Sequence, residues 1–303
     1  MALSQDYTDY PLRRRGQDID RYNWRIIQNR RPSAFDDGAA LGIAIVVPLE
    51  YFMLNPSGAP FKHPGAMATA YPDLRHFTTR DYGNRVGVFR LLRAFKDTRI
   101  KATFAINGKL VDRVRPLIDA IEEDGHEIAA HGLDTDSIHW GGIDPEVEKR
   151  YVSDTRAAFD QAGISPRTWL SPARQQSFQT LDLIAQEGFD VCLDWEIDTV
   201  PVEMKTRTTN IQAFPLLNEL DDRFILSTKN HTEADWRDQI IEAADMTASE
   251  AKRFGAQVFG FTMTPYIAGL PFRLWAVREV VQGLNARDAV RIDTVSNLTA
   301  SLT

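Results

Sequence analysis

The sequence predicts an α/β protein built on a mostly parallel sheet with helices packed outside it. Two observations carry this. Short apolar runs rich in β-branched residues alternate along the chain with longer segments of helical period, the pattern of repeated strand–helix units. Acids, histidines and indoles gather just after several of those runs, at the C-terminal strand ends where such sheets build their sites. The 303 residues suffice for one large domain with an ample core. Periodicity leaves an open sheet and a closed barrel equally allowed.

In order along the chain, residues 1–38 are polar and rich in Arg and Asp. They are expected to form an arm, with Tyr7, Tyr10, Tyr22, Trp24 and Ile26-Ile27 to bury against the domain or a neighbouring subunit. Residues 39–303 are expected to make up the main domain. Leu41 to Val47 reads as a buried strand, followed by a Pro/Gly-rich stretch from Pro48 to Pro72 that is long enough to be a functional rim. A helix is expected near 84–96, a strand at 102–106, a helix near 110–124 and a strand at 126–130. The helix near 144–162 carries its own start signal, Asp144 as cap and Pro145 in the first turn. A strand at 168–170, a helix near 178–187 closed by Gly188 and a strand at 189–194 follow. Strand-like pieces at 211–215 and 222–227 precede a long helix from Thr232 toward Phe254. A strand at 258–263, a helix near 272–286, a strand near 289–292 and a last helix capped by Asp293 complete seven or eight strands.

Net charge is −7, which disfavours nucleic acid and anionic membranes as partners, and a small-molecule substrate is expected instead. Arg13-Arg14-Arg15 reads as part of a solvated arm. The single cysteine, Cys192, lies in an apolar run and excludes both an intrachain disulfide and a CxxC metal site. No apolar run approaches a membrane span, and residues 1–15 lack the apolar core of a secretory leader, so cytoplasmic residence is expected.

The residues with chemistry to offer follow strands. They are Glu50; His131 with His139; Trp169, Ser171 and Arg174; and Asp194, Trp195 and Asp198. Several of the surrounding motifs resemble those of the polysaccharide deacetylase-like superfamily (NodB-like), in its allantoinase-like and cyclic-imide-hydrolase-like branch. These are Thr103-Phe104-Ala105-Ile106-Asn107-Gly108, Gly125-His126-Glu127-Ile128 with His131-Gly132, Asp81-Tyr82-Gly83-x-Arg85-Val86-Gly87, and Asp194-Trp195-x-x-Asp198. The resemblance spans about residues 41–295. It implies a distorted (β/α) barrel of seven or eight mostly parallel strands and hydrolysis of a carbon–nitrogen bond other than a peptide bond. It also makes a homo-oligomer the expected assembly.

The sequence departs from the family where metal is bound. Such deacetylases hold a divalent ion with an Asp-His-His set and use a second Asp as base. Here the first strand ends Val47-Pro48-Leu49-Glu50, the position four after His131 is Thr135, and the late family histidine before proline is Thr264. Glu50, His131 and His139 are the ligand set left for a zinc-like ion, if one is bound. Three readings follow. The first is a metal-free hydrolase of a small cyclic amide, imide or ureide. In it Glu50 and His131 activate water, Asp194 or Asp198 serves the leaving nitrogen, Trp169 and Trp195 sandwich the ring, and Ser171, Arg174 and Arg85 bind substrate. The second is a metal-dependent sugar deacetylase. The third is an inactive binding barrel. His126 and Glu127 are expected to support the strands, and Asp221-Asp222 to bind backbone N–H groups.

Overall fold

The computed structural model describes residues 19–23, 25–57 and 70–303. Tyr7, Tyr10, Arg13 to Arg15, Trp24 and the middle of the Pro/Gly-rich stretch lie outside the described residues. Among the described residues no helix is long and apolar enough to cross a membrane.

The first strand, β1 (Leu41–Leu49), lies at the centre of the sheet and is buried along its whole length. Its side chains alternate with period two. Leu41, Ile43, Ile45, Val47 and Leu49 face outward into the large core under the helices, while Ala44 and Val46 face inward into a smaller core. The outward core is built with α2 (Val88–Thr98), α3 (Arg115–Glu123), α6 (Glu233–Phe254) and α7 (Leu274–Asn285). The inward core is sealed at one end by Phe35 and by Val295 and Leu298 of α8 (Val295–Ser301).

Around β1 run β2 (Thr103–Ile106), β3 (Glu127–Ala130), β4 (Thr168–Trp169) and β5 (Val191–Cys192) on one side, and β8 (Gln257–Thr262) on the other, all parallel. β7 (Ile211–Ala213) continues the parallel run from β5. β6 (Val202–Met204) adds an antiparallel edge, and β9 (Val290–Ile292) pairs with the start of β1. An isolated parallel bridge between Leu216 and Gly260 brings the far end of the curled sheet back to β8. This is the distorted, mostly parallel barrel the sequence implied.

Other expectations need correction. Residues 222–227 are not a strand. Asp222 takes the Arg223 N–H, and Arg223–Thr228 winds as a wide π-type turn, so the apolar Phe224-Ile225-Leu226 run belongs to a helical segment. A helix, α1 (Leu74–Tyr82), stands where none was assigned. It starts at Asp73, whose carboxylate accepts the His76 N–H, and passes through a π-type turn, Gly83–Gly87, into α2. The last helix is capped by Thr294 rather than Asp293. The short β6 was not anticipated. Asp144 caps α4 (Pro145–Gln161) as expected.

His126 and Glu127 support the strands. Burial pushes the His126 imidazole down to about 4, and its Nδ1 accepts the Ala102 N–H. Glu127 accepts from the hydroxyls of Thr103, Thr168 and Ser296, tying three strands to α8.

Candidate active site

Because the central strands are parallel, their C-terminal ends share one mouth. The inward-facing positions there come from the same parity as Ala44, Val46 and Ala129: Glu50 after β1, His131 after β3, and Thr262 and Thr264 at the end of β8. They line a cavity of about 170 Å³ together with Pro48, Leu170, Ala173, Arg174, Asp221, Arg223 and Phe224.

The geometry of Glu50 and His131 is fixed by their neighbours. The buried Asn107 accepts the Tyr51 N–H at 2.7 Å and donates to the His131 carbonyl, clamping the ends of β1 and β3 together. His131 Nδ1 lies 3.0 Å from the Leu170 carbonyl oxygen. A carbonyl can only accept, so Nδ1 carries a proton, and in the neutral ring it is Nε2 that holds the lone pair. That Nε2 is 4.0 Å from Glu50 Oε1. The other Glu50 oxygen, Oε2, receives the Arg223 guanidinium at 2.9 Å and lies 3.3 Å from the Tyr266 hydroxyl, which Arg223 also contacts.

Burial alone would push the Glu50 carboxyl up, but Arg223 and the His131 imidazole outweigh it and hold the group at about 2. Glu50 is therefore an anion throughout the neutral range and a weak base. A carboxyl depressed in this way adds stability above its unfolded value, near 4.5, and loses it as pH falls through its folded value. We expect urea midpoints of the wild-type protein to fall relative to Glu50→Gln as pH drops from about 4.5 to about 2. Parallel curves for the two proteins would show that the pair is not ionised in the native state.

Arg174 lines the same cavity. It and Ala173 both adopt left-handed backbone, φ 53° and 59°, a costly conformation for two successive non-glycine residues. The bend lets the guanidinium reach the Leu216 carbonyl and Asp221, both at 2.8 Å, and Glu196 at 3.1 Å. Asp221 and Asp222 do bind backbone: Asp221 accepts the Thr262 N–H, and Asp222 accepts those of Thr264 and Ala268.

The other expected site residues stand elsewhere. Trp169 has the outward parity of β4; it is fully buried and donates its indole N–H to Ser171 Oγ, so it faces the helix-side core, not the cavity. Ser171 is buried and spends its N–H on Asp194. Asp194 shares the outward side of β5 with Cys192 and is held by Gln176. With Trp195 it borders a second cavity, of about 800 Å³, that also meets Arg174. Asp198 pairs with Arg30 at 2.6 Å; Arg30 also bonds the Phe254 carbonyl, and Thr199 accepts the Val258 N–H, so this pair sits near the start of β8, at the end of the barrel opposite Glu50. Arg85 projects from the π-type turn with its side chain 75% exposed, 3.7 Å from Asp81. His139 is buried against Trp169 and Tyr151 and bonds Glu148, so it does not join Glu50 and His131. Sequence reasoning missed Arg223 and Tyr266, the two groups that complete the Glu50 cluster.

The polysaccharide deacetylase family matches residues 73–192, the stretch from α1 to β5 that contains Asn107, His131 and Ser171. Over that stretch, and not over the chain as a whole, the sequence is similar to polysaccharide deacetylases. A Schizosaccharomyces pombe protein, provisionally designated a polysaccharide deacetylase, is 29% identical over 122 residues; the match covers 39% of this chain and 37% of that protein's length. Two solved structures have the same fold. A provisionally named polysaccharide deacetylase from Mycobacterium smegmatis superposes with a TM-score of 0.73 at 22% identity, over 89% of this chain and 93% of the other. The PuuE allantoinase does so at 0.80 and 18%, over 93% and 97%.

The metal set expected from the resemblance is not matched among the described residues. Among the described residues no three His, Cys, Asp or Glu side chains converge. Thr135, standing four residues after His131, gives its hydroxyl to the Tyr51 carbonyl. Arg223 places a positive charge against Glu50, where a cation would have to bind. Two ligands and an arginine do not fit a three-ligand zinc site.

Proposed function

We propose that the Glu50–His131 cavity hydrolyses a carbon–nitrogen bond of a small cyclic amide, imide or ureide, with His131 as the base. The observation that carries this reading is the tautomer of His131. Its Nδ1–H is committed to the Leu170 carbonyl, so the basic Nε2 is presented to the cavity beside Glu50. Nε2 takes a proton from water as the water oxygen attacks the carbonyl carbon. It then returns that proton to the ring nitrogen as the C–N bond breaks, leaving a ring-opened amide acid. Glu50 stays ionised at 4.0 Å and stabilises the imidazolium formed between the two steps. The small cavity supports a compact substrate over a glycan chain. Asp194 and Asp198 have no part in this scheme.

The test is turnover of succinimide, hydantoin and allantoin beside an N-acetylglucosamine oligomer, using protein stripped with chelator and protein reloaded with zinc. We expect the cyclic compounds to be hydrolysed equally by both preparations. Activity confined to the oligomer, or restored only by zinc, would overturn the reading.

A further inference from the structure

Arg223 is placed for more than an ion pair. Its Nη2 serves Glu50 and the Tyr266 hydroxyl. Among the described residues Nε and Nη1 make no hydrogen bond, and the side chain lines the cavity with 25% of its surface accessible. A guanidinium is a rigid donor fork that stays charged, and its remaining N–H groups call for an acceptor. The cavity's other cation, Arg174, is spent on Leu216, Asp221 and Glu196. Arg223 itself is anchored at three points. Asp222 holds its backbone N–H, Glu50 its charge, and Tyr266 its tip; Tyr266 in turn rides on the turn that Asp222 fixes through Thr264 and Ala268.

We infer that Arg223 is the anion receptor of the cavity, binding the scissile carbonyl oxygen of the substrate and then the carboxylate that hydrolysis makes of it. This rests on the hydrolase reading for the first role but not for the second. During attack the carbonyl oxygen gains negative charge, and a donor already held in place stabilises it without reorganising. After C–N cleavage the same carbon bears two oxygens and one negative charge, the group a guanidinium binds best. The ligand class that follows is a small monocarboxylate carrying an amide or ureido group.

Succinamate and N-carbamoylglycine are the probes, titrated calorimetrically into wild type, Arg223→Gln and Arg223→Lys, each checked for folding by its thermal transition. Wild type should bind them, with affinity weakened about tenfold or more in Arg223→Gln and by less in Arg223→Lys. On a turned-over cyclic substrate, Arg223→Gln should lower kcat about 10²–10³-fold with a smaller change in KM. Should Arg223→Gln fail to fold, Arg223→Lys carries the same comparison. Acid binding that is absent in wild type, or unchanged in the folded variants, overturns the inference. Turnover by wild type with Arg223→Gln unaffected also overturns it while leaving the hydrolase reading intact. Acid binding lost in Arg223→Gln without turnover by wild type supports the receptor and removes the hydrolase reading.

Discussion

His131→Gln is expected to lower kcat on a cyclic substrate by about 10²–10⁴-fold, the span of general acid–base catalysis, with the protein still folded. Glutamine retains a side-chain N–H that can reach the Leu170 carbonyl, so the local anchor survives while the basic nitrogen is lost. His131→Ala removes both and should cost as much activity together with some stability, since it leaves a buried carbonyl unpaired. Comparing the two separates chemistry from packing. Glu50 cannot take over as base, because Arg223 holds its carboxyl at about 2. Single-turnover rates for the two variants and wild type would decide the point. A His131→Gln protein within tenfold of wild type would show that the imidazole is not the base.

The largest effect on stability is expected at a helix crossing that backs the Glu50 cluster. Gly87→Ala should destabilise the protein by about 3 kcal/mol or more, lowering the thermal midpoint by about 5–10 °C. The helix running from α1 through the π-type turn to α2 crosses the Pro265–Gly269 turn so closely that a Cβ on Gly87 would lie 2.1 Å from the Pro265 carbonyl oxygen. The obstacle is backbone, so no rotamer change relieves it. Gly83 meets the same turn, with a Cβ 2.7 Å from the Tyr266 nitrogen. The two glycines of the Asp-Tyr-Gly-x-Arg-Val-Gly motif thus bring a helix against the turn that holds Tyr266 beside Glu50. Gly141→Ala is the control, since a Cβ there meets nothing within 4 Å. Calorimetric midpoints for Gly87→Ala and Gly141→Ala that agree would refute this account of the motif.

The succession of strands along the chain was legible because β1 is apolar and rich in β-branched residues and the middle of β8, Val258 to Phe261, is an unbroken apolar run. The site was legible only in part, and the reason is parity. Glu50 and His131 continue the inward rows of β1 and β3, whereas Trp169 and Asp194 continue the outward rows of β4 and β5. All four follow or end strands, and proximity to a strand end does not separate them. Counting in twos from Ala44 and Ala129 would have. Asp198 and Arg85 were grouped with the site by their motifs, yet a motif records which residues accompany one another in sequence, not which end of a barrel they occupy. Arg223 was hidden differently. Phe224-Ile225-Leu226 beside it reads as a strand, and the π-type turn that aims the guanidinium inward depends on Asp222 taking its N–H. The acid pair preceding it was the available signal.

The barrel is also uneven in stiffness. From β8 through β1 and β2 to β3 the strands are joined by continuous ladders, whereas β3, β4, β5 and β7 are linked by one or two register pairs, and the ring returns to β8 through the Leu216–Gly260 bridge. Glu50 and His131 stand on the rigid arc. Arg223 is tied to that arc through Asp222 and Glu50, whereas Arg174 hangs from the weakly paired one, where local opening costs fewer hydrogen bonds. The molecule resembles a vice with one fixed jaw, which carries the acid, the imidazole and Arg223, and one sprung jaw, which carries Arg174. On the proposed function, ligands of slightly different size would be met by yielding on the Arg174 side while the spacing between acid and base is kept.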